Sequence, residues 1–179
     1  MATVSAIDIK KLWYCETTAI TADVTAASLK TLLAANTTQE VQNIHQDTWS
    51  LEEAEPSQDS YKNQLTGSIY RMGKKTMGDI TISFTIGQYD YTLKAALMGG
   101  TGTSTSWKRQ RGIVDVKKAF IVKTVDDVYI VFPYCNLSTR EGNTDGALGL
   151  AVAATIMEPP TTTIAPEYWF DAAAVEAAE

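Results

Sequence analysis

Few side chains in this sequence could do chemistry, and none stands beside the partner it would need. His45 is the single histidine in 179 residues. A general base needs a nucleophile or a substrate site next to it, and the chain has no Gly-x-Ser-x-Gly elbow to supply one. His45 therefore reads as a histidine on a half-exposed strand. Cys15 and Cys135 lie 120 positions apart, with no C-x-x-C spacing that would mark a zinc or redox site. Each is flanked by aromatic residues (Trp13 and Tyr14; Phe132 and Tyr134), as expected of small core thiols. Glu52-Glu53 and Asp126-Asp127 are carboxylate pairs. Adjacent strand residues point to opposite faces, so neither pair converges, and the second falls at an expected turn tip. The run Gly99-Gly-Thr-Gly102 follows a helical stretch and has no Gly-Lys-Ser/Thr after it, so it is a helix stop and hinge rather than a phosphate cradle. The expectation is a chain with no catalytic, metal or cofactor residues.

Composition narrows the class further. With 45% hydrophobic and 20% charged residues the chain is an ordinary globular protein, and one domain is expected. At this size a fold buries about 70% of its unfolded surface, so disulfides and metals are not needed as staples. No apolar run reaches the roughly 20 residues of a membrane helix, and the opening Met1-Ala-Thr-Val-Ser-Ala-Ile-Asp lacks the order of a secretory signal, so no membrane partner is expected and folding in a cytoplasm is. Fifteen Lys+Arg against 21 Asp+Glu leave a formal charge of -6. A polyanion such as DNA is then expected to pass by rather than bind tightly.

The elements that must carry these residues are mostly strands. Ile80, Ile82, Phe84 and Ile86 alternate with Thr81, Ser83 and Thr85, the clearest strand and one with a lightly packed second face. Ile7 to Cys15 suits a first strand, and Val41 to Trp49 shows weaker alternation. The runs 114–123 and 128–132 form a hairpin across Asp126-Asp127. A turn at 142–146 leads into a strand with Leu148, Leu150, Val152, Ala154 and Ile156 on one face. Its other face holds Ala147, Gly149, Ala151, Ala153 and Thr155, all small, so another backbone or sheet can approach it closely. Two short helices are expected. One spans 25–36 with Leu29, Leu32 and Leu33 on one side; the other follows Asp90 as cap and ends at Gly99-Gly100.

Residues 51–79 form a long polar stretch broken by Pro56, Gly67, Gly73 and Gly78, expected as an extended loop. Its charges segregate. Glu52, Glu53, Glu55 and Asp59 come first; Lys62, Arg71, Lys74 and Lys75 follow. A second basic patch holds Lys108, Arg109 and Arg111. Acidic and basic halves of one surface complement each other when identical subunits stack head to tail.

The order at 80–100 carries a resemblance. An alternating strand ends Ser-Phe-Thr-Ile-Gly-Gln-Tyr-Asp90, a short helix Tyr-Thr-Leu-Lys-Ala-Ala-Leu-Met98 follows, and then Gly-Gly. This resembles the major tail proteins, or tail tube proteins, of tailed bacteriophages, whose fold also underlies the tube proteins of contractile injection systems. The long stretch before the strand is similar in place to the family's extended loop, and Lys117 to Ile130 looks like its late hairpin. The likeness spans about residues 7–160 in order of elements, and its motifs are loose.

The resemblance implies a mainly β, sandwich- or barrel-like tail tube fold with one or two short helices on it. A single domain is expected over 1–160, and the end of the chain, which falls outside the family's pattern, is expected as a C-terminal arm or flexible tail over 161–179. It further implies a structural subunit of the virion tail, made in the host cytoplasm, forming hexameric rings stacked around a channel for double-stranded DNA. Its other partners would be the tape measure, tail terminator, and baseplate or tip proteins. The charged residues of 52–75 are then expected between rings. The small-residue face, with Tyr168, Trp169 and Phe170, is expected at close packing between subunits. The alternative from another class is a monomeric β-sandwich module binding carbohydrate through Trp107, Tyr89 or Trp169.

Overall fold

The computed structural model describes residues 4–178; Met1 to Thr3 of the expected domain and Glu179 of the expected tail lie outside it. The chain is mainly β: a curled antiparallel half-barrel with three short helices. Its strands are β1 (Ile9–Cys15), β2 (Gln39–Val41), β3 (Ser50–Glu53), β4 (Ser57–Lys62), β5 (Ile69–Thr76), β6 (Ile80–Ile86), β7 (Thr101–Gly102), β8 (Trp107–Lys108), β9 (Val116–Thr124), β10 (Val128–Thr144), β11 (Ala147–Ile156) and β12 (Tyr168–Asp171). The helices are α1 (Ala26–Ala34), α2 (Tyr91–Met98) and α3 (Ala172–Ala177).

The main sheet runs β2-β1-β9-β10-β11-β6-β3. β10 is its spine. One edge of it pairs with β9; the other pairs with β12 over Val128–Val131 and with β11 from Cys135 onward. A proline cannot donate to a ladder, and the β9–β10 register shifts between Phe132 and Cys135, where Pro133 sits. The two terminal strands of the path, β2 and β3, each keep a free edge, and residues 42–49 join them across the open side of the half-barrel.

Two hydrophobic clusters lie on opposite faces of this sheet. The concave side holds Leu12, Phe84, Phe120, Phe132, Leu150 and Val152, with Leu97 of α2 closing one end. Phe84 and Phe120 meet edge to face at 5.8 Å. On the other side, Ile121 and Val131 are covered by Val24 and Leu29, and by Ala172 and Val175 of α3. β9 and β10 are thus buried on both faces, which is why Ala119-Phe-Ile-Val122 is continuously apolar. β6 is buried on one face only, and it alternates.

The helix ends follow from their capping residues. Thr25 accepts from the Ser28 amide while Ser28 Oγ accepts from the Thr25 amide, a reciprocal capping box. Asp90 Oδ1 accepts from the Leu93 amide at 2.6 Å, and Gly99 ends α2 at φ 78°. Lys30 Nζ donates to the carbonyls of Glu176 and Ala178, tying the C-terminal end of α3 to α1.

The structure departs from the sequence expectation in four places. Residues 51–79 are not one loop. Leu51–Glu53 belong to β3 in the main sheet, and β4 and β5 form a separate two-stranded ribbon. Of the expected 41–49 strand only Val41, the last residue of β2, lies in a regular strand, followed by an isolated bridge from Ile44 to Ile86. The connector after α2 closes as a small β7–β8 hairpin. The alanine-rich end forms α3.

Candidate assembly surfaces

The ribbon is the feature that stands apart from the core. Every residue of β4 and β5 is exposed except Gly73, which is half-buried. Tyr61, Leu65, Ile69, Tyr70 and Met72 are exposed on it despite their apolar side chains. An isolated two-stranded hairpin is marginal in water, and clustered exposed apolar residues mark surfaces meant for a partner. The neck that joins it to the sheet is tight. The Ala54 amide donates to the Asp79 carbonyl at 2.9 Å, and a Cβ at Gly78 would lie 1.7 Å from the Ala54 carbonyl oxygen.

The eight charged residues expected between rings divide among three strands and the neck. Glu52 and Glu53 lie on β3, Glu55 in the neck, Asp59 and Lys62 on β4, and Arg71, Lys74 and Lys75 on β5. None of them enters an ion pair among the described residues; Arg71 instead lies over the Tyr61 ring at 5.7 Å. Their charges are therefore uncommitted within one chain. The second basic patch differs. Arg109 pairs with Glu141 at 3.3 Å and lies against Trp107, beside buried Lys94, whose Nζ meets Glu141 at 2.5 Å and the Trp107 ring centroid at 4.1 Å.

The small-residue face of β11 is partly covered, with Ala151 and Thr155 half-buried. Rungs of small or hydroxylated side chains cross the sheet in register: Ser138, Ala153, Ser83 and Ser50 in one, Asn136, Thr155, Thr81 and Glu52 in the next. Ser50 and Ser83 share a hydrogen bond at 2.8 Å. A third rung holds Arg140, Ala151 and Thr85. Gly149 is buried because Thr85 lies over it, while Ala147 and Ala153 are exposed. No helix covers this half of the outer face, in contrast to β9 and β10.

Tyr168, Trp169 and Phe170 sit on β12, paired to β10 of their own chain. Tyr168 and Phe170 stack at 6.2 Å and pack on the outer cluster. The Tyr168 hydroxyl donates to Asp23 Oδ1 and accepts from the Ala165 amide, both at 2.7 Å. Trp169 points the other way, is 44% exposed and lines a cavity of about 350 Å³ with Trp49 and Leu51.

The residues with potential chemistry stay apart. His45 Nε2 meets Asp145 at 2.9 Å, joining the 42–49 segment to the β10–β11 turn. Asp126 accepts from Ser5 Oγ, and Asp127 sits between Lys10 and Lys123; the Lys123 hydrogen bond first, then the charge of Lys10, holds the Asp127 carboxyl below its ordinary value. Burial pushes the Cys15 thiol up to about 11 and that of Cys135 to about 12. Among the described residues no group of three or more His, Cys, Asp or Glu side chains is placed to hold a metal, and no helix is long and apolar enough to cross a membrane.

One surface was not anticipated from the sequence. Ile20, Pro133, Tyr134, Pro159, Pro160 and Ile164 line an apolar notch of about 260 Å³ where the β10 bulge meets the Thr17–Ala19 turn. Its signal was a proline inside a strand run, paired with a diproline that reads simply as a strand terminator. Compared with known proteins, the chain matches no protein family, and no curated protein aligns with it significantly.

Proposed function

We propose that this chain is a non-enzymatic structural subunit of a bacteriophage tail tube. Identical copies close into hexameric rings, the rings stack into a tube, and double-stranded DNA passes through the channel during ejection without binding tightly. The observation that carries this reading is the ribbon β4–β5, an exposed hairpin bearing apolar residues and charges that have no partner among the described residues. Axial contact with the next ring supplies that partner. The half-barrel supports the same reading, since β2 and β3 keep free edges that lateral neighbours complete, removing the hazard of open strands. The order of alternating strand, Asp-capped helix and Gly-Gly stop, through which the sequence resembles tail tube proteins, is present as β6, α2 and Gly99-Gly100.

The other reading, a monomeric carbohydrate module, has less support. A sugar needs a free aromatic face, and that of Trp107 is occupied by Lys94 and Arg109 while its indole N–H donates to the Gly99 carbonyl. Deletion of residues 57–75 tests the proposal. Negative-stain electron microscopy is expected to show rings or single subunits and no long tubes, and normal tubes from the deletion would refute it.

A further inference from the structure

The tip of the ribbon and the notch at the β10 bulge are a knob and a hole on one molecule. The tip is ordered by its own hydrogen bonds. The Asn63 amide donates to the Ser68 carbonyl, the Gly67 amide to the Asn63 carbonyl and the Leu65 amide to Asn63 Oδ1, all at 2.8 Å. Gly67 takes the left-handed φ of 69° that this turn requires. Leu65 is held on that turn 93% exposed, with no side-chain shelter of its own. An aliphatic side chain so displayed on a fixed turn is positioned to be buried elsewhere.

The notch has the complementary character. No charged residue lines its 260 Å³, and Pro159 and Ile164 are buried at its base. Three of its lining residues are prolines, whose fixed φ limits how far the walls can move. Lys117 lies over the ring of Tyr134 at 5.9 Å but is held by Asp115 at 3.0 Å, so the charges left unpaired around the two features are opposite. Lys62 and Arg71 flank the tip, and neither is ion-paired among the described residues. Beside the notch, Glu158 directly precedes Pro159 and Asp23 follows Thr21 by two residues, and neither has a cationic partner among the described residues. Glu16, next to Thr17, is already held by Lys118.

We propose that Leu65 of one copy seats in the Pro133–Pro159–Pro160 notch of a second copy, with Lys62 and Arg71 over Glu158 and Asp23. The contact joins two different surfaces of the same chain. It is heterologous and propagates from copy to copy instead of closing a two-fold dimer. This inference rests on the reading of the chain as a self-assembling subunit and names the receptor for its ribbon.

Cysteine cross-linking tests it, since both native thiols are buried and do not compete. Full-length L65C and T161C proteins are mixed in equal amounts at a concentration where the wild type assembles, and oxidised mildly. Thr161 lines the notch and is exposed; I113C, at a fully exposed position elsewhere, replaces T161C as the control for chance collision. The expected result is a disulfide-linked peptide pair in mass spectrometry that joins the L65C site of one copy to the T161C site of another, absent from each single protein and from the I113C mixture. L65D is expected to raise the concentration needed for assembly by about ten- to a hundredfold, the loss of one buried leucine. Assemblies that form without that link, or an L65D protein that assembles like the wild type, overturn the docking while leaving the tube reading in place. A wild type that stays monomeric at every concentration overturns both.

Discussion

Gly149 offers the sharpest measurement of how closely the small-residue sheet face is packed. A Cβ placed there would lie 2.7 Å from Thr85 Cγ2 and 3.2 Å from the Ile86 carbonyl oxygen. Carbon atoms pack best at about 3.5–4.0 Å, so the methyl of G149A is short of room by about 1 Å. Thr85 is poorly able to yield. It is β-branched, with few χ1 options, and its amide donates to Thr48 Oγ1 at 3.0 Å. Overpacking of this kind costs about 1–3 kcal/mol, and the stiffer unfolded chain of alanine returns about 0.4–1, leaving a net loss of about 0.5–2 kcal/mol. For a protein of this size the melting temperature falls by about 1–8 °C. T85S removes only the obstructing methyl. Thermal and urea unfolding by circular dichroism of the wild type, both single variants and the double variant closes the cycle. G149A/T85S is expected to recover most of the loss, with a coupling of about 1 kcal/mol. Simple addition of the two single effects, or a G149A protein as stable as the wild type, would show that Thr85 does not press on this strand.

Two further predictions concern titration. Because burial holds Cys15 and Cys135 up to about 11 and about 12, iodoacetamide at about pH 8 is expected to modify neither in the native protein and both in denaturant; native labelling of Cys135, read by intact mass, would contradict its burial. The Lys94 hydrogen bond, then its charge, holds the Glu141 carboxyl below its ordinary value, so its stabilisation is complete above the unfolded value of about 4.3 and fades as pH falls through the lower folded one. The wild type should therefore lose more melting temperature between about pH 5 and pH 3 than E141Q does. At neutral pH E141Q should itself cost about 1–2 kcal/mol, because Lys94 remains 8% exposed with a neutral amide oxygen in place of its counter-charge.

Where a strand is wet on one side its residues announced it: β6 alternates because the outer cluster under α1 and α3 draws on β1, β9, β10 and β12 and does not include β6. The caps at Asp90 and Gly99 were legible for the same reason, since each satisfies a local backbone need. The ribbon was not. Its Tyr61, Ile69 and Met72 alternate weakly within a polar, glycine-broken stretch, and pairing across Asn63 to Ser68 depends on a turn rather than on burial. β12 was hidden too, because what fixes Tyr168 is Asp23, 145 positions away. The notch combines residues from three distant segments, so no local pattern could disclose it.

The sheet topology also sets a timetable for the chain as it is made. β1 ends at Cys15, but its main partner, β9, begins at Val116, roughly 100 residues later. At synthesis speeds of about 5–20 residues per second, the first strand waits some 5–20 s for the surface it belongs to. β6, flanked early only by the short β3, likewise waits for β11. The local hairpins β4–β5 and β9–β10 can form as they emerge, whereas the barrel wall closes only once β11 is complete. Slower translation before Val116 would therefore prolong the interval in which the strand edges of nascent chains are exposed to one another.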